Sequence, residues 1–452
     1  MASRRRHSRQ SIRLVLIGGV PLLALGIAAT GPVAGPTGAE TAVPVGVGRF
    51  ASDQRTAPAG QMRAITLQVD PGRHGLGAYS DTWGDNLVFD KNDDGIPDIL
   101  LSNHIEPWQI WLGNGHGGFT FDQALPSTDR HNCAAADFGG PDGAPPDGRL
   151  DLYCVRGANK GTINDKRNTL LIQRADGSFT NVVTSWGAVD PSGRGRTVSI
   201  LDIRGDGRPS LFVGNAAGNL YPSLDHIYVN LGRHFVQRRT GGLPSEQNTK
   251  CSDTGDFNRD GRQDFVTCSS SLRLYKNLTT PARRVAYRNV AHTEGLPRHR
   301  TDAELVDLNH DGWPDLVTVG ENALTVRLNR HRTPHFSKVD FSFRLIAGRS
   351  FCVGRANGDT APDLLVVQGL KSMTDKLQRR DWMLINSGSG TRFRPLPVPQ
   401  PPLRDGANGS GDTCTAIPDY SGARAAWTIN NGFSDGTPRS HRGYRQLVIY
   451  TP

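Results

Sequence analysis

Three short stretches of the chain share one spacing of acidic and amide side chains. Each has Asp at the first position, Asn at the third, Asp at the fifth, Gly at the sixth and Asp at the ninth: Asp90–Asp98, Asp256–Asp264 and Asp307–Asp315. Alternate positions of a tight loop turn their side chains toward one centre, and glycine permits the left-handed backbone that folds the loop. Calcium binds about six to eight oxygen ligands, often in short acidic loops. The spacing therefore predicts calcium sites.

The predicted ligands are the carboxylate and amide side chains at positions one, three, five and nine of these complete loops: Asp90, Asn92, Asp94, Asp98, Asp256, Asn258, Asp260, Asp264, Asp307, Asn309, Asp311 and Asp315. An EF-hand is excluded, because it needs Glu at the twelfth position, where this chain has Leu101, Thr267 and Thr318. A second interpretation stays open, namely a metal-free turn held by hydrogen bonds from its Asp and Asn side chains to its own backbone.

An expanded copy of the motif runs from Asp137 to Asp151, with a Gly- and Pro-rich insertion at its front. Its end keeps Asp147 and Asp151, which we predict as further calcium ligands.

Two degenerate copies carry arginine inside the loop. Arg204 stands at the third position of Asp202–Ser210, and Arg355 stands at the first position of the copy that ends at Asp363. A guanidinium there predicts a built-in replacement for the metal ion. A further, eroded copy begins near Asp419.

The motif recurs at a regular distance along the chain. Its ninth positions fall at residues 98, 151, 210, 264, 315 and 363, which are 48 to 59 residues apart. A period of this length made of strands and turns is typical of propeller blades. Each unit continues with two apolar runs and then an aromatic residue that we expect to start a fourth strand: Phe119, Phe179, Phe235, Tyr287, Phe336 and Phe393.

The last unit ends with Leu447–Tyr450 and lacks a fourth strand, whereas the strand-like segment Ala64–Val69 precedes the first motif. If that segment joins the last unit, the ring closes and two exposed sheet edges disappear. The sequence therefore predicts an all-β fold, a seven-bladed β-propeller of four-stranded antiparallel blades closed by an N-terminal strand.

The repeated motif, followed by an apolar strand and a later Gly-x-Phe, resembles the FG-GAP/VCBS repeat of integrin-α-type N-terminal β-propellers. The resemblance extends over about residues 62–452 and rests on the complete copies at regular spacing. It implies a propeller with calcium in the loops that join the first and second strands of the blades.

The six cysteines of the chain fit this arrangement. Cys251 and Cys268 lie five residues before and four after one complete loop, and Cys133 and Cys154 flank the expanded loop in the same way. Each pair should face across one hairpin, within reach of a disulfide. Cys352 and Cys414 lie in the first strands of the last two blades, and we expect them to bridge these blades.

The N-terminus has the order of a signal peptide. Five arginines and no acidic residue occur before residue 40, and the apolar run Leu14–Ala29 follows. We therefore predict a signal peptide or N-terminal anchor over residues 1–35, a flexible leader over 36–61 and the propeller over 62–452. The protein should be secreted or lie at the cell surface, with membrane contact only through an uncleaved anchor.

Outside the N-terminal segment, the bases and acids that give the formal net charge of +9 are nearly balanced. That balance argues against a nucleic-acid partner. The loops expected between second and third strands carry basic residues, which predict either a recognition face for an acidic glycan or protein or ordinary solvated charge: Lys160, Lys166, Arg167, Lys371, Lys376, Arg379, Arg380, Arg439 and Arg442. Trp108 and Trp111 are expected in the blade core, with sugar stacking as the alternative.

No His-Glu-x-x-His or Gly-x-Ser-x-Gly motif occurs in the chain, so we predict no catalytic residues. The expected function is a monomeric binding or adhesion module for an extracellular glycan or protein. The alternative is an extracellular carbohydrate-active enzyme, a polysaccharide lyase or glycosidase, on the same scaffold, because the chain is rich in Asp and folds do not decide function.

Overall fold

The structure is a computed structural model. It describes residues 61–66, 79–80, 85–102, 107–125, 130–140, 143–157, 168–191, 193–216, 223–232, 234–238, 243, 248–269, 271–280, 284–369, 379–399, 411–421, 424–431 and 443–451. The predicted signal peptide or anchor and nearly all of the leader lie outside these residues. Within the described part of the chain, no helix has the length and apolar character needed to cross a membrane.

The strands in chain order are β1 (Gln61–Thr66), β2 (Tyr79–Ser80), β3 (Leu87–Phe89), β4 (Asp98–Leu101), β5 (Gln109–Gly113), β6 (Phe119–Ala124), β7 (Arg130–Ala136), β8 (Asp151–Arg156), β9 (Thr169–Gln173), β10 (Phe179–Asn181), β11 (Gly195–Leu201), β12 (Ser210–Asn215), β13 (His226–Asn230), β14 (Phe235–Arg238), β15 (Cys251–Gly255), β16 (Asp264–Cys268), β17 (Arg273–Asn277), β18 (Tyr287–Asn289), β19 (Asp302–Val306), β20 (Asp315–Gly320), β21 (Ala323–Arg327), β22 (Phe341–Arg344), β23 (Gly348–Gly354), β24 (Asp363–Gln368), β25 (Trp382–Asn386), β26 (Phe393–Pro397), β27 (Gly411–Ser421), β28 (Arg424–Asn431) and β29 (Gly443–Thr451).

These strands form seven antiparallel sheets, which are the blades. Blades one to six each contain four strands that are consecutive in sequence, from β3–β6 in the first to β23–β26 in the sixth. The seventh blade has the order β1-β29-β28-β27, and β2 also pairs with β29. The chain is therefore an all-β, seven-bladed propeller, which confirms the predicted fold class.

The first strands of the blades form the inner ring. Each of β3, β7, β11, β15, β19, β23 and β27 contacts the first strand of the next blade, and β27 contacts β3. The N-terminal strand β1 pairs with β29 from Gln61 opposite Thr451 to Thr66 opposite Gln446. It thus takes the position expected for Ala64–Val69, but begins and ends three residues earlier.

Seven separate hydrophobic clusters hold the ring together, one at each junction between neighbouring blades. The second strand of each blade is sandwiched between two such clusters, because its alternate side chains point to opposite faces of the sheet. In β16, for example, Val266 belongs to the cluster with blade five and Phe265 to the cluster with blade three. Trp108 is fully buried in the junction between blades one and two, as the core interpretation predicted.

The three expected disulfides are all present. Cys133–Cys154 and Cys251–Cys268 each join directly opposite residues of the first and second strands of one blade, with Cα–Cα distances of 4.1 and 5.0 Å. Cys352–Cys414 joins β23 to β27 across blades six and seven. Disulfides persist in oxidising compartments, so these bonds indicate such an environment.

Two expectations about strands and loops were wrong. Phe336 does not start a fourth strand, because β22 begins at Phe341; Phe336 instead fills the core beside Phe257, just after the cis peptide bond of Thr333–Pro334. The eroded copy near Asp419 forms no motif loop either. Asp419 lies inside β27, and β27 turns into β28 between Ser421 and Arg424.

Candidate metal centres

The repeated acidic motif lies in every case between the first and second strands of a blade. The complete loops join β3 to β4, β15 to β16 and β19 to β20. Because the first strands form a ring of equivalent inner strands, these loops lie on one face of the propeller, which we call the acidic-loop face. The opposite face, where the first strands begin, is called the entry face.

The first-position aspartate binds the backbone of its own loop. In the fifth blade, the two carboxylate oxygens of Asp307 accept hydrogen bonds from the backbone N–H groups of Asp311 and Gly312, at 3.2 and 2.8 Å. Asp90 and Asp256 make the same pair of bonds at 2.8 to 3.2 Å. This side chain therefore closes the turn.

The fifth- and third-position side chains complete the loop. One oxygen of Asp311 accepts from the backbone N–H of Trp313 at 2.8 Å, and the other accepts from Nδ2 of Asn309 at 3.0 Å. The first loop repeats both contacts. In the fourth blade the amide of Asn258 instead donates to Asp264 at 2.7 Å. Hydrogen bonds within the loop thus bring together the side-chain oxygens that could coordinate an ion.

Two positions of each complete loop have left-handed backbone. The sixth-position glycines have φ of 78° to 80°. The fourth position was not foreseen: it is also left-handed, yet it holds a residue with a Cβ, namely Asp93 (φ 58°), Arg259 (φ 51°) or His310 (φ 60°). Such a residue carries roughly 1–2 kcal/mol of backbone strain. The degenerate loops avoid that strain with Gly205 and Gly358.

The ninth-position aspartate is buried beneath the loop. Asp98 has no exposed surface, and its two oxygens accept backbone N–H groups of Lys91 and Gly113, both at 2.8 Å. Burial, opposed by these hydrogen bonds and assisted by the nearby charges of Asp90 and Asp94, raises the pKa of Asp98 to about 6. The loop therefore gathers three carboxylates that repel one another.

The other complete loops show the same effect. Burial, assisted by the charges of the first- and fifth-position carboxylates, raises the pKa of Asp315 to about 7 and that of Asp264 to about 8. A buried carboxylate with a raised pKa is stabilised by a proton or by a cation. All side-chain atoms that could coordinate an ion in these loops are oxygens, which suits a hard cation such as Ca²⁺. Each carboxylate oxygen has two lone pairs, so the turn hydrogen bonds leave room for coordination.

The expanded loop of the second blade follows the same plan. Despite the insertion, Asp137 accepts the backbone N–H of Gly148 at 2.7 Å, as the first-position aspartates do elsewhere. Asp151 is buried and accepts from Phe138 and Gln173 at 2.9 and 2.8 Å, whereas Asp147 forms an ion pair with the side chain of Arg149. Asp137 is thus a candidate ligand that the sequence analysis missed.

The degenerate loops keep the turn and lose part of the charge. Asp202 accepts backbone N–H groups at 3.1 and 3.0 Å, as in a complete loop, and Arg204 is exposed. In the sixth blade, Arg355 is buried and donates to Asp419 of the seventh blade at 3.3 Å. The guanidinium of Arg355 thus contacts the neighbouring blade.

Side-chain amides connect the loops of blades one to five to the following blade. Asn329, at the start of the turn after β21, donates from Nδ2 to the backbone carbonyl of Phe257 in the loop of blade four at 2.7 Å and to that of Pro314 at 3.0 Å. Equivalent bonds to the preceding blade's loop, which we call amide latches, come from Gln173, Asn230, Asn277 and Asn386. The sequence analysis did not identify these amide side chains.

A second acidic group, also missed, lies around the central channel. It consists of Asp85, Asp253, Asp302 and Glu304, from blades one, four and five, and all four side chains are partly accessible. Burial raises the pKa of each, and the other acids of the group add to the effect. The pKa of Asp302 is about 6, again because of burial.

The channel aspartates also accept hydrogen bonds from the next blade. Asp85 accepts from Nδ2 of Asn132 at 3.0 Å, Asp253 from the backbone N–H of Leu305 at 2.7 Å, and Asp302 from Oγ of Ser350 at 2.7 Å. These aspartates therefore help to join the inner strands.

Most of the basic loop residues of the predicted recognition face lie outside the described residues. Of the two that are described, Arg379 is buried and donates to the carbonyl of Gly369 at 3.1 Å, so it supports its own loop. Arg380 is exposed.

Comparison with known proteins agrees with this architecture. The family model described as FG-GAP-like repeat matches residues 146–213, which include the end of the expanded loop. Together with the seven blades, the match fits an FG-GAP repeat propeller, as the resemblance predicted; such propellers are commonly binding modules. A search among curated proteins gives no match.

Among solved structures, the chain is similar to BBS1N in complex with ARL6DN, soaked with lead, at 11% identity and a TM-score of 0.46, over 84% of this chain and 94% of that one. It is also similar to Sqt1 of Saccharomyces cerevisiae, at 12% identity and a TM-score of 0.46, over 83% of this chain and 98% of that one. Both similarities are too weak to bear on the function of this chain.

Proposed function

We propose that the protein is an exported, calcium-stabilised propeller that acts as a binding module for an extracellular glycan or protein. The observation that carries the calcium assignment is the gathering of three carboxylates in each complete loop, with the ninth-position aspartate fully buried beneath the turn that the first-position aspartate closes. Burial and the two neighbouring carboxylates raise the pKa of that buried aspartate. When bound, Ca²⁺ supplies positive charge at the centre of these oxygens. The residues of the loop hold the ion and fix the junction between blades.

In the complete loops, the ligands would be the side chains at positions one, three, five and nine. In the expanded loop they would be Asp137, Asp147 and Asp151. The amide latches connect the loops to neighbouring blades, so an ion in one loop would also stabilise the contact with the next blade. Export is supported by the disulfides and by the signal-peptide-like N-terminus.

Equilibrium dialysis with metal analysis tests the calcium proposal. We expect about three ions per chain at low micromolar to millimolar free Ca²⁺, and a fourth if the expanded loop binds. Substituting Asp307→Ala should remove one ion. A stoichiometry of zero would leave the metal-free turn as the correct interpretation.

A carbohydrate-active enzyme remains the second candidate, and the channel carboxylates favour it. A carboxylic acid whose pKa is raised toward neutrality can act as a general acid beside an ionised carboxylate. Burial raises the pKa of Asp302 to about 6, and burial and the neighbouring acids raise the pKa of Glu304 well above its usual value. Incubation with a glycan array, followed by mass spectrometry of the products, separates the candidates. Retention without new chain ends supports the binding module, and new reducing or unsaturated ends support the enzyme.

A further inference from the structure

The entry face of the channel carries basic side chains at one repeated position. The inner strands of blades two, three, six and seven each contain an irregularity in their pairing, between Arg130 and Asn132, Gly195 and Thr197, Gly348 and Ser350, and Gly411 and Thr413. The extra residue is basic in three of these blades, as His131, Arg196 and Arg349, and is Asp412 in blade seven. A β-bulge of this kind redirects a side chain and is frequent at functional sites.

Blade four places a fourth basic residue at the same level. Its ladder begins with Cys251 opposite Cys268, and Lys250 comes directly before, with its backbone N–H bonded to the carbonyl of Cys268 at 2.8 Å. Lys250 therefore occupies the place that Arg196 and Arg349 occupy in their blades. We call His131, Arg196, Lys250 and Arg349 the basic crown.

The members of the crown are close enough to influence one another. Nη1 of Arg196 lies 3.2 Å from Nδ1 of His131 in the neighbouring blade. Lys250 and Arg349 are exposed. The surroundings nevertheless lower the pKa of Lys250, first by burial and then through the positive charges of Arg349 and Arg196. Cations from three blades thus face a common region, and an anion placed there would relieve their repulsion.

Below the crown, polar and acidic side chains line the channel. Two residues after Lys250, the hydroxyl of Ser252 is bonded to those of Thr197 and Ser199 at 2.8 and 2.6 Å. Among the channel acids, Asp302 lies close to the crown, because it accepts a hydrogen bond from Ser350, the residue after Arg349. Asp253 lies deeper: at about 3.3 Å per strand residue, roughly 10 Å separate the levels of Lys250 and Asp253, which corresponds to one or two sugar rings.

We propose that the entry-face mouth of the channel binds an anionic sugar residue, with its carboxylate or sulfate at the basic crown and its hydroxyl groups directed toward the serine, threonine and aspartate side chains inside. A hydroxyl-rich ligand with one anionic group matches both layers, because sugar hydroxyls donate hydrogen bonds to carboxylates. An acidic peptide matches only the crown, since its further carboxylates would approach the acids below. The proposal rests on the proposed function, and it names the ligand class and its place.

The test uses the full-length, calcium-loaded protein and isothermal titration with three tetrasaccharides: a galacturonate, a sulfated heparin-type sugar and a neutral cello-oligosaccharide. We expect one or both acidic sugars to bind and the neutral one not to bind. The acidic arm that binds identifies the anion as carboxylate or sulfate. Affinity should fall with added salt, because Lys250 and Arg349 of the crown are exposed to solvent.

Replacing Lys250→Gln together with Arg349→Gln should weaken binding about tenfold for each charge removed. The matched control is Arg238→Gln with Arg288→Gln, which removes the same charge from exposed residues of outer strands β14 and β18 and should change affinity less than about twofold. Lys250→Arg keeps the charge and should retain binding. Melting curves of all variants verify that they are folded.

Equal losses in the crown variant and the outer-strand control would overturn the proposal, as would binding of a poly-glutamate peptide more tightly than either acidic sugar. If no acidic sugar binds but another glycan or protein does, and the crown variant leaves that binding unchanged, the crown inference is wrong while the binding-module proposal stands. If turnover of a sugar is found, the binding-module proposal fails independently of the crown.

Discussion

The loops of the fifth and third blades have almost the same backbone and very different charge. Asp307 and Asp202 accept equivalent pairs of backbone N–H groups, at 2.8 to 3.2 Å. The ninth position, however, is the buried Asp315 in one loop and Ser210 in the other, and the third loop adds Arg204. The turn therefore forms without three carboxylates. His331 meets part of the extra charge of the complete loop, because its Nε2 lies 2.9 Å from Oδ2 of Asp311, and a bound cation would account for the remainder.

The loops of the fifth and third blades also differ in backbone strain. His310 occupies a left-handed position (φ 60°) for which the third blade uses Gly205 (φ 66°). Strain of this kind is kept where the surrounding structure or a ligand compensates for it. The complete loops are thus both more charged and more strained than the turn requires.

Removing calcium should have the largest effect on stability. An ion that binds only the folded state adds about 4 kcal/mol per site when its free concentration is a thousandfold above Kd. We therefore expect EDTA to lower the melting temperature strongly and added Ca²⁺ to restore it, as measured by differential scanning calorimetry. Magnesium serves as the control and should restore less, because it demands smaller, octahedral sites. A melting curve that ignores EDTA would show that the charged loops hold no ion.

A matched pair of substitutions separates the ion from the turn. Without calcium, Asp307→Ala and Asp202→Ala should each cost about 1–2 kcal/mol, because each removes a similar pair of hydrogen bonds. In saturating calcium, Asp307→Ala should cost about 4 kcal/mol more, through loss of one bound ion, and Asp202→Ala should cost the same as before. Urea unfolding with and without calcium measures the difference. If calcium leaves the cost of both substitutions unchanged, the loop of the fifth blade binds no ion.

A smaller effect is expected from pH. The folded-state pKa of Asp98 is about 6, that of Asp315 about 7 and that of Asp264 about 8, all above the value of about 3.9 for the unfolded chain. The folded state therefore holds these protons more tightly. The contribution of the three groups to stability is fully present below about pH 4 and is lost as the pH rises through 6 to 8.

For the calcium-free protein, we thus expect a melting temperature that falls by several degrees between about pH 5 and about pH 8. Calcium should reverse the trend, because the ion and the protons compete for the same carboxylates. A calcium-free melting temperature that rises over this range would contradict the raised pKa values.

The smallest predicted effect concerns the fourth position. Gly205→Ala should destabilise the protein by about 1 kcal/mol, through backbone strain alone, because a Cβ at Gly205 has no atom within 4 Å. The matched control is His310→Ala, which keeps a Cβ on the left-handed backbone and should leave stability nearly unchanged. If the two variants lose the same stability, the left-handed backbone at His310 is not strained.

The sequence predicted the features that repeat. The Asp motif located the loops and the blade count, since each copy precedes a buried second strand such as Asp264–Cys268. The disulfides of blades two and four were predictable because Cys133 and Cys154, like Cys251 and Cys268, are placed almost symmetrically about a loop.

Features that depend on neighbouring blades were not predictable. Asn329 contacts Phe257, which is 72 residues away, so nothing local in the sequence indicates the latch. Asp85 and Asp302 each lie five residues before the first Asp of their motif, and Asp253 and Glu304 each lie three before it, but only the closed ring brings Asp85 near Asp302. The basic crown depends on bulges, which shift Arg196 and Arg349 relative to the regular alternation of a strand. Phe336 was misassigned because it lies inside the long connection between β21 and β22, which runs from residue 328 to residue 340.

The amide latches imply an order in which the molecule would come apart. In the described part of the chain they connect every junction from blades one and two to blades five and six, and the Cys352–Cys414 bond covers the next junction. Blades seven and one meet instead through contacts such as Asn86 with Thr428 and Phe119 with Tyr420. The first opening of the toroid under heat or force should therefore occur between blades seven and one, and amide protons near that boundary should exchange with solvent soonest.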